Sequence, residues 1–347
     1  MSTSDMDRVL AVIGQDCDQL MTLELRPRGY SHGVIHNLYR AAREKIGEPL
    51  SMAAARRLTE AAKAGDVVFL TTGAGNALYL PKGETDGPLG LTAIARMLSE
   101  GFGIVPIILT EADYVQNVEA TAVATGLGIR TVDEARKVAH TTAVLPFPSE
   151  ESAGKRRSAE LLDALDPKAI VAVEKLGPNA AGVTHSATGM PSGSERAQLE
   201  HLFADANERG ILTVGIGDNG NEIGFGLIQE GVWEYKQFGR KCQCPCGQGM
   251  ATVVATDVLV TAGTSNWGGY AVEACLAAIA GKPELIHSAR VEQFMLTECV
   301  RTGGVDGSTG RQILQVDGTS MEAQLAFNEL FRSIVRYGLE APRTRPF

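Results

Sequence analysis

Residues 215–226 read GIGDNGNEIGFG. Gly215, Gly217 and Gly220 have the G-x-G-x-x-G spacing of a dinucleotide-binding turn, where glycines let backbone amides approach a pyrophosphate. Asp218 sits inside that turn, and Asn221 and Glu222 follow at once. A carboxylate there competes with phosphate for the amides, so the segment reads as part of a site that wants positive charge. Similar groups follow other apolar runs. Glu84 and Asp86 lie in ETDGPLG, Glu174 and Lys175 close AIVAVEK, and Ser265, Asn266 and Trp267 lie in TSNWGGY.

The apolar runs are the elements that must carry these residues. DVVFLTTG (66–73), GIVPIILT (103–110), TTAVLPF (141–147), AIVAVEK (169–175), ILTVGIG (211–217) and TDVLVTAG (256–263) read as short buried strands. Amphipathic helices at 89–101, 153–165 and 194–210 separate them, which predicts an α/β fold with a mostly parallel sheet and helices on both faces. The sequence reads as a single α/β domain. Residues 1–64 form a helical N-terminal arm, with Gly65 as a helix cap before the first strand. A core over 65–347 ends in a Gly-rich hairpin at 300–318 and one more helix. Residues 146–154 are the best exposed loop. In an open parallel sheet, ligands bind outside the carboxyl ends of the strands. Four strand ends then present Glu84, Asp86, Glu174, Asp218, Asn221, Glu222, Ser265 and Asn266 to one edge, where Glu84, Glu174, Asp218 and Asn266 are expected to line one cavity.

Such a pocket suits a hard divalent cation on oxygen ligands, Mn²⁺ or Mg²⁺. Each residue alone has a plainer explanation: a strand-end Asp often caps the next helix, and Asp86 before Gly-Pro is a good turn residue. The weight lies in their convergence. Trp267 reads as a pocket wall or a core residue. His32 and His36, four apart on a helix, read as a surface pair. Of six cysteines, Cys242, Cys244 and Cys246 form CQCPC. Three thiolates lack the fourth ligand of a closed zinc site and depart from C-x₂-C spacing. They are expected to be structural and away from the acidic pocket.

The formal net charge of −9 disfavours a nucleic-acid partner. No basic leader or long apolar run is visible, so the expectation is a cytoplasmic chain with reduced thiols and no membrane span. Self-association into a homo-oligomer is left open.

ETDGPLG (84–90), AVEKLG (172–177), GIGDNGNEIGFG (215–226), TDVLVTAGTSNWGGYA (256–271) and VRTGGVDG (300–307) resemble, in this order, the C-terminal domain of the D-glutamate cyclase family. The resemblance runs from about residue 66 to about 335 and implies a three-layer Rossmann-like domain with an acidic pocket. The family pattern matches at Glu84, Asp86, Glu174, Asp218, Asn221, Glu222, Ser265, Asn266 and Arg301. Lys175 stands where the cyclases tend to carry Arg, and CQCPC lies in an insertion. The mitochondrial members carry a further N-terminal, hydro-lyase-like domain that this sequence is expected to lack.

The implied reaction is loss of water from D-glutamate to give 5-oxo-D-proline. Glu84, Asp86, Asp218 and Asn221 are the expected metal ligands, and the metal would polarise the γ-carboxylate. Glu174 or Glu222 is the expected base, with Lys175 or Arg301 holding the α-carboxylate. Ser265, Asn266 and Trp267 complete the expected substrate contacts. The substrate class is an acidic amino acid or a related carboxylate. A metal-dependent phosphoryl-handling hydrolase and a non-catalytic metal- or metabolite-binding module are the alternatives.

Overall fold

The computed structural model describes residues 3–25, 33–193 and 196–340. Three helices open the chain: α1 (Thr3–Met21), α2 (Ile35–Ile46) and α3 (Leu50–Ala61). The alternating region follows as β1 (Val67–Gly73), α4 (Pro88–Phe102), β2 (Val105–Thr110), α5 (Val115–Thr125), β3 (Gly128–Ile129), α6 (Val132–Ala135), β4 (Thr141–Pro146), α7 (Glu151–Leu165), β5 (Ala169–Lys175), α8 (Glu200–Glu208), β6 (Leu212–Gly217), α9 (Gln229–Tyr235), β7 (Val258–Thr261), α10 (Ser265–Ala280) and α11 (Ala289–Arg301). A hairpin of β8 (Gln315–Val316) and β9 (Thr319–Ser320) precedes α12 (Met321–Leu339).

The main sheet has seven strands in the order β3-β4-β2-β1-β5-β6-β7, and every pairing is parallel. Successive side chains alternate between its faces. Val68, Leu70, Val171, Val173, Val214 and Ile216 pack under α1–α5 and α10–α12. Phe69, Ile107, Leu109, Ile170 and Ala172 pack under α6–α8. The expected α/β fold is therefore present. The three N-terminal helices are less an arm than part of the larger core: Ile13, Cys17, Leu38, Leu50 and Leu58 belong to the same buried cluster as α10. Asp18 fastens them, accepting from the backbone amides of Leu50 at 2.6 Å and Ser51 at 3.1 Å and from the Tyr39 hydroxyl at 2.9 Å.

Some boundaries differ. Helix α3 closes at Ala62, and Gly65, at φ 88°, makes the turn into β1 instead of capping the helix. The hairpin is confined to 315–320, because residues up to Arg301 complete α11. Its two-residue turn is Asp317-Gly318, at φ 50° and 75°, the left-handed pair that a type I′ turn requires. Of the His32/His36 pair, His36 is exposed on α2 and His32 lies outside the described residues. No helix among the described residues is long and apolar enough to cross a membrane.

Helix α10 is the hub of the larger core, buried from Ser265 to Ala278. It crosses α4 with almost no separation: a Cβ on Gly269 would fall 2.7 Å from the Gly90 Cα, and one on Gly90 would fall 2.8 Å from the Asn266 Cα. Only glycine fits where backbones meet this closely. Gly90→Ala should therefore cost about 1–3 kcal/mol by overpacking. Gly231→Ala in α9, whose new Cβ would meet only Ala41 at 3.4 Å, should be neutral or stabilise by up to about 1 kcal/mol. Urea midpoints of the two variants check both; equal midpoints would refute the crossing as described.

Candidate functional site

The carboxyl ends of β1, β5, β6 and β7 meet where the strand order reverses between β1 and β5. Helices α4 and α10 begin there, and each is capped by a side chain from the other's first turn or the residue before it. Asp86 accepts from the α10 amides of Ser265 (2.8 Å) and Asn266 (2.7 Å). In return the Asn266 carboxamide oxygen accepts from the amides of Gly87 and Gly90, both at 2.8 Å, and its NH₂ donates to the Thr85 carbonyl at 3.0 Å. Asn266 is thus consumed by the scaffold, not left free for substrate. The positive ends of both helices face the carboxylates, which eases negative charge there.

The turn 217–222 answers the question posed by its glycines. Glu222 curls back into it and accepts from the amides of Asn219 at 3.0 Å and Gly220 at 2.7 Å. The amides that would hold a phosphate hold the chain's own carboxylate. The turn is also pinned from below, since Ile223 donates to the Lys175 carbonyl at 2.7 Å and Gly177 to that of Asn221 at 2.9 Å. Glu174, the last but one residue of β5, takes φ 48°, a left-handed conformation unfavourable for a side-chain-bearing residue. Its carboxylate accepts a short hydrogen bond from the Ser265 hydroxyl.

Carboxylate oxygens of Asp86, Asp218 and Asp317 lie within 4.8 Å of one another, and so do those of Glu174, Asp218 and Glu222. Asp218 belongs to both groups. Glu84 stands beside Asp317: both carboxylates crowd the Gly307 backbone. Asp317 was not apparent from the sequence. It arrives because Glu84 bridges to Val305, the Thr85 amide donates to the Val305 carbonyl at 2.9 Å, and the Thr85 hydroxyl donates to the Gln315 carbonyl at 2.8 Å. These bonds lay the C-terminal segment along the loop after β1. Asp306 then shapes the hairpin by accepting from Gly318 at 2.8 Å and Thr309 at 2.9 Å.

Other expected site residues lie elsewhere. Lys175 is fully buried, but its ammonium is paired with Glu111 in a close contact and does not enter the acidic group. A bulge separates it from Glu174: Val173 and Lys175 pair with the consecutive residues Thr72 and Gly73, so Lys175 turns to Glu111 while Glu174 turns to Ser265 of α10. Arg301 is exposed on α11 and paired with Glu298 at 2.7 Å. Trp267 is a core residue, stacked on Phe327 at 3.8 Å and donating to Gln324 at 2.8 Å. A void of about 10 Å³ touches Glu84 and Asp86, about the size of one water. Beside it, sharing Gly73, Lys82 and Tyr114, is a cavity of about 180 Å³ also lined by Glu111 and Arg196.

Burying like charges together is costly unless they are neutralised. Burial, and then Asp317, Asp86, Glu222 and Asp306, push the Glu84 carboxyl well above its usual range. Burial and Glu222, Glu84 and Asp86 do the same to Glu174. Burial raises Glu222 too, against the opposing pull of its backbone amides and Lys236. The donor set is all oxygen, as a hard cation demands. Four buried oxygens at these strand ends have no hydrogen-bond partner among the described residues: the Asn221 carboxamide oxygen and the hydroxyls of Thr72, Thr261 and Thr264. The residues present therefore fit a hard divalent cation.

A stability consequence follows from these directions. A carboxyl raised in the folded state binds its proton more tightly there than when unfolded, so stability is full below the ordinary carboxyl range and falls as pH rises. In chelator, melting temperature should fall from about pH 4.3 upward, and Glu174→Gln should flatten part of that fall. Added Mn²⁺ should restore stability at the alkaline end. Thermal melts across a pH series check this; a chelated protein that gains stability with pH would contradict it.

Residues 24–332 match the protein family described as D-glutamate cyclase-like, C-terminal. The chain is 29% identical over 217 residues to the mitochondrial D-glutamate cyclase of Homo sapiens. That alignment covers 60% of this chain and 32% of the relative, so the chain corresponds to about a third of that protein. On the extent of the family match, this chain belongs to the D-glutamate cyclase-like, C-terminal family.

Proposed function

We propose that this chain is a divalent-cation-dependent hydro-lyase that closes D-glutamate to 5-oxo-D-proline with release of water. The observation that carries the reading is the buried cluster around Asp218, which shares two groups of three carboxylates whose oxygens lie within 4.8 Å of one another. Asp86, Asp218 and Asp317, with Glu84 and the unpartnered Asn221 oxygen, would hold Mn²⁺ or Mg²⁺. Bound there, the cation would act as a Lewis acid on the γ-carboxylate, which is otherwise a poor electrophile.

The proton work falls to Glu174. The substrate ammonium must lose a proton before its nitrogen can attack, and the departing oxygen must gain protons to leave as water. Two protons move from nitrogen to oxygen overall, so a single group that accepts and then donates suffices. Glu174 suits this because burial and its acidic neighbours raise its carboxyl toward the working pH, where a general acid–base is most effective. The Ser265 hydroxyl orients it. Glu222, enclosed by its own loop amides, would keep the turn that presents Asp218. An acidic amino acid would approach through the neighbouring cavity, where it would meet Lys82 and Arg196, now paired with Asp113 at 3.3 Å and Glu200 at 2.6 Å. The void at the carboxylates themselves, about 10 Å³, requires the loop after β1 or the hairpin to give way as substrate enters.

Turnover of D-glutamate, followed as 5-oxoproline by chromatography with Mn²⁺ present, tests the reading. Glu174→Gln should lower kcat by about 100-fold or more. Arg301→Ala, which removes a surface ion pair, should leave turnover intact. Metal binding without any turnover of D-glutamate would leave a cation-binding module, and cleavage of simple phosphomonoesters instead would make the site a phosphoryl hydrolase.

A further inference from the structure

The CQCPC segment does not stand alone. One nitrogen of His185, 59 residues from Cys244 along the chain, completes a group with Cys242, Cys244 and Cys246 whose ligand atoms all lie within 4.8 Å of one another. The sulfurs of Cys242 and Cys244 are 3.5 Å apart, those of Cys242 and Cys246 3.4 Å, and those of Cys244 and Cys246 3.3 Å. The His185 Nε2 lies 3.2 Å from the Cys244 sulfur and 3.8 Å from that of Cys246. A zinc tetrahedron with Zn–S of about 2.3 Å and Zn–N of about 2.0 Å has edges of about 3.8 Å between sulfurs and about 3.5 Å between sulfur and nitrogen. Five of the six edges are thus near those of such a tetrahedron, and the sixth, between the His185 nitrogen and the Cys242 sulfur, is within 4.8 Å.

We propose that His185, Cys242, Cys244 and Cys246 form a structural zinc site, separate from the acidic cluster. Three sulfurs and an imidazole are a soft donor set that favours Zn²⁺ over the Mn²⁺ or Mg²⁺ expected among carboxylates. Four protein ligands close the coordination shell, which marks a structural centre and not a catalytic one. The surroundings are built for it. The other His185 ring nitrogen, Nδ1, lies 3.1 Å from the Val183 carbonyl, the outer contact that fixes the tautomer of a metal-bound histidine. His185 is fully buried, and Asn179 donates to the Cys246 sulfur at 3.4 Å.

The site ties together two long excursions from the sheet, the segment after β5 and the segment between α9 and β7. Hydrogen bonds join them here as well: Gln243 donates from its backbone to the Gly189 carbonyl at 2.9 Å and from its side chain to that of Thr188 at 2.7 Å, Asn179 donates to the Gly249 carbonyl at 2.7 Å, and Val253 and Thr252 donate to that of Pro178 at 2.9 and 3.0 Å. The zinc would also reach the acidic cluster indirectly, because Asn221 donates to the His185 carbonyl at 2.8 Å. The proposal is independent of the cyclase reading, since it needs no turnover.

Elemental analysis of the purified full chain, after dialysis against a weak chelator, should find about one zinc per chain. Replacing zinc by Co²⁺ should give the intense visible bands of a tetrahedral site and near-ultraviolet thiolate-to-cobalt charge transfer. Glu174→Gln should retain that spectrum, which separates this site from the acidic one. Cys244→Ser should weaken cobalt binding by more than the about 10- to 100-fold expected for loss of an outer contact. If that variant fails to fold, the wild-type cobalt spectrum still decides. A folded wild-type protein that holds no zinc, shows no thiolate-to-cobalt band and leaves all three thiols open to a thiol reagent would overturn the site. An iron–sulfur absorption would overturn its assignment to zinc.

Discussion

The exchange of side chains between Asp86 and Asn266 sets the position of nearly everything at the candidate site. Each caps the helix that carries or follows the other, and the two helices can approach this closely only because Gly90 and Gly269 have no side chains between them. Helix α10 is thereby locked across the core, and its first turn delivers Ser265 to Glu174. The loop between β1 and α4 is fixed by the same bonds, and through Thr85 it holds the C-terminal segment that brings Asp317. A scaffold contact between two polar side chains thus gathers carboxylates from distant parts of the chain.

That gathering creates an electrostatic demand. Asp86 and Glu222 are satisfied in part by backbone amides, whereas Glu84, Glu174 and Asp218 share a buried volume with other acids. Protonation can neutralise them, and so can a cation; the raised carboxyls are the signature of the first, and the all-oxygen donor set suits the second. The two are linked. A site that must protonate when empty is one from which cation binding expels protons, so affinity for the cation should be tied to pH.

Much of this was legible in the sequence, for identifiable reasons. Short β-branched runs bounded by glycine mark buried parallel strands, and the run at 169–175 coincides with β5 residue for residue. Once strands are placed, the carboxyl-end rule finds Glu84, Asp86, Glu174, Asp218 and Glu222 without further help. The rule gives position along the sheet but not the direction or occupation of a side chain. Lys175 went to Glu111 because a bulge at Glu174 breaks the strand's alternation, and Asn266 went to the α4 amides because a polar residue at a helix start finds bare amides first. Asp317 and His185 could not be found from local spacing, since each reaches its partners through a long connection whose path only tertiary hydrogen bonds define. The Asp317-Gly318 turn was the available signal: an Asp-Gly pair between short extended runs predicts a tight hairpin, though not where its tip will lie.

The central claim is that the carboxylates around Asp218 hold a divalent cation. Anomalous diffraction from crystals grown with Mn²⁺, collected on both sides of the manganese absorption edge, tests it most directly. The account predicts a manganese peak bound by Asp218 together with carboxylates of Asp86 and Asp317 or of Glu174 and Glu222. Manganese found only at surface carboxylates, with Glu174 and Asp218 hydrogen-bonded to each other through a retained proton, would contradict it.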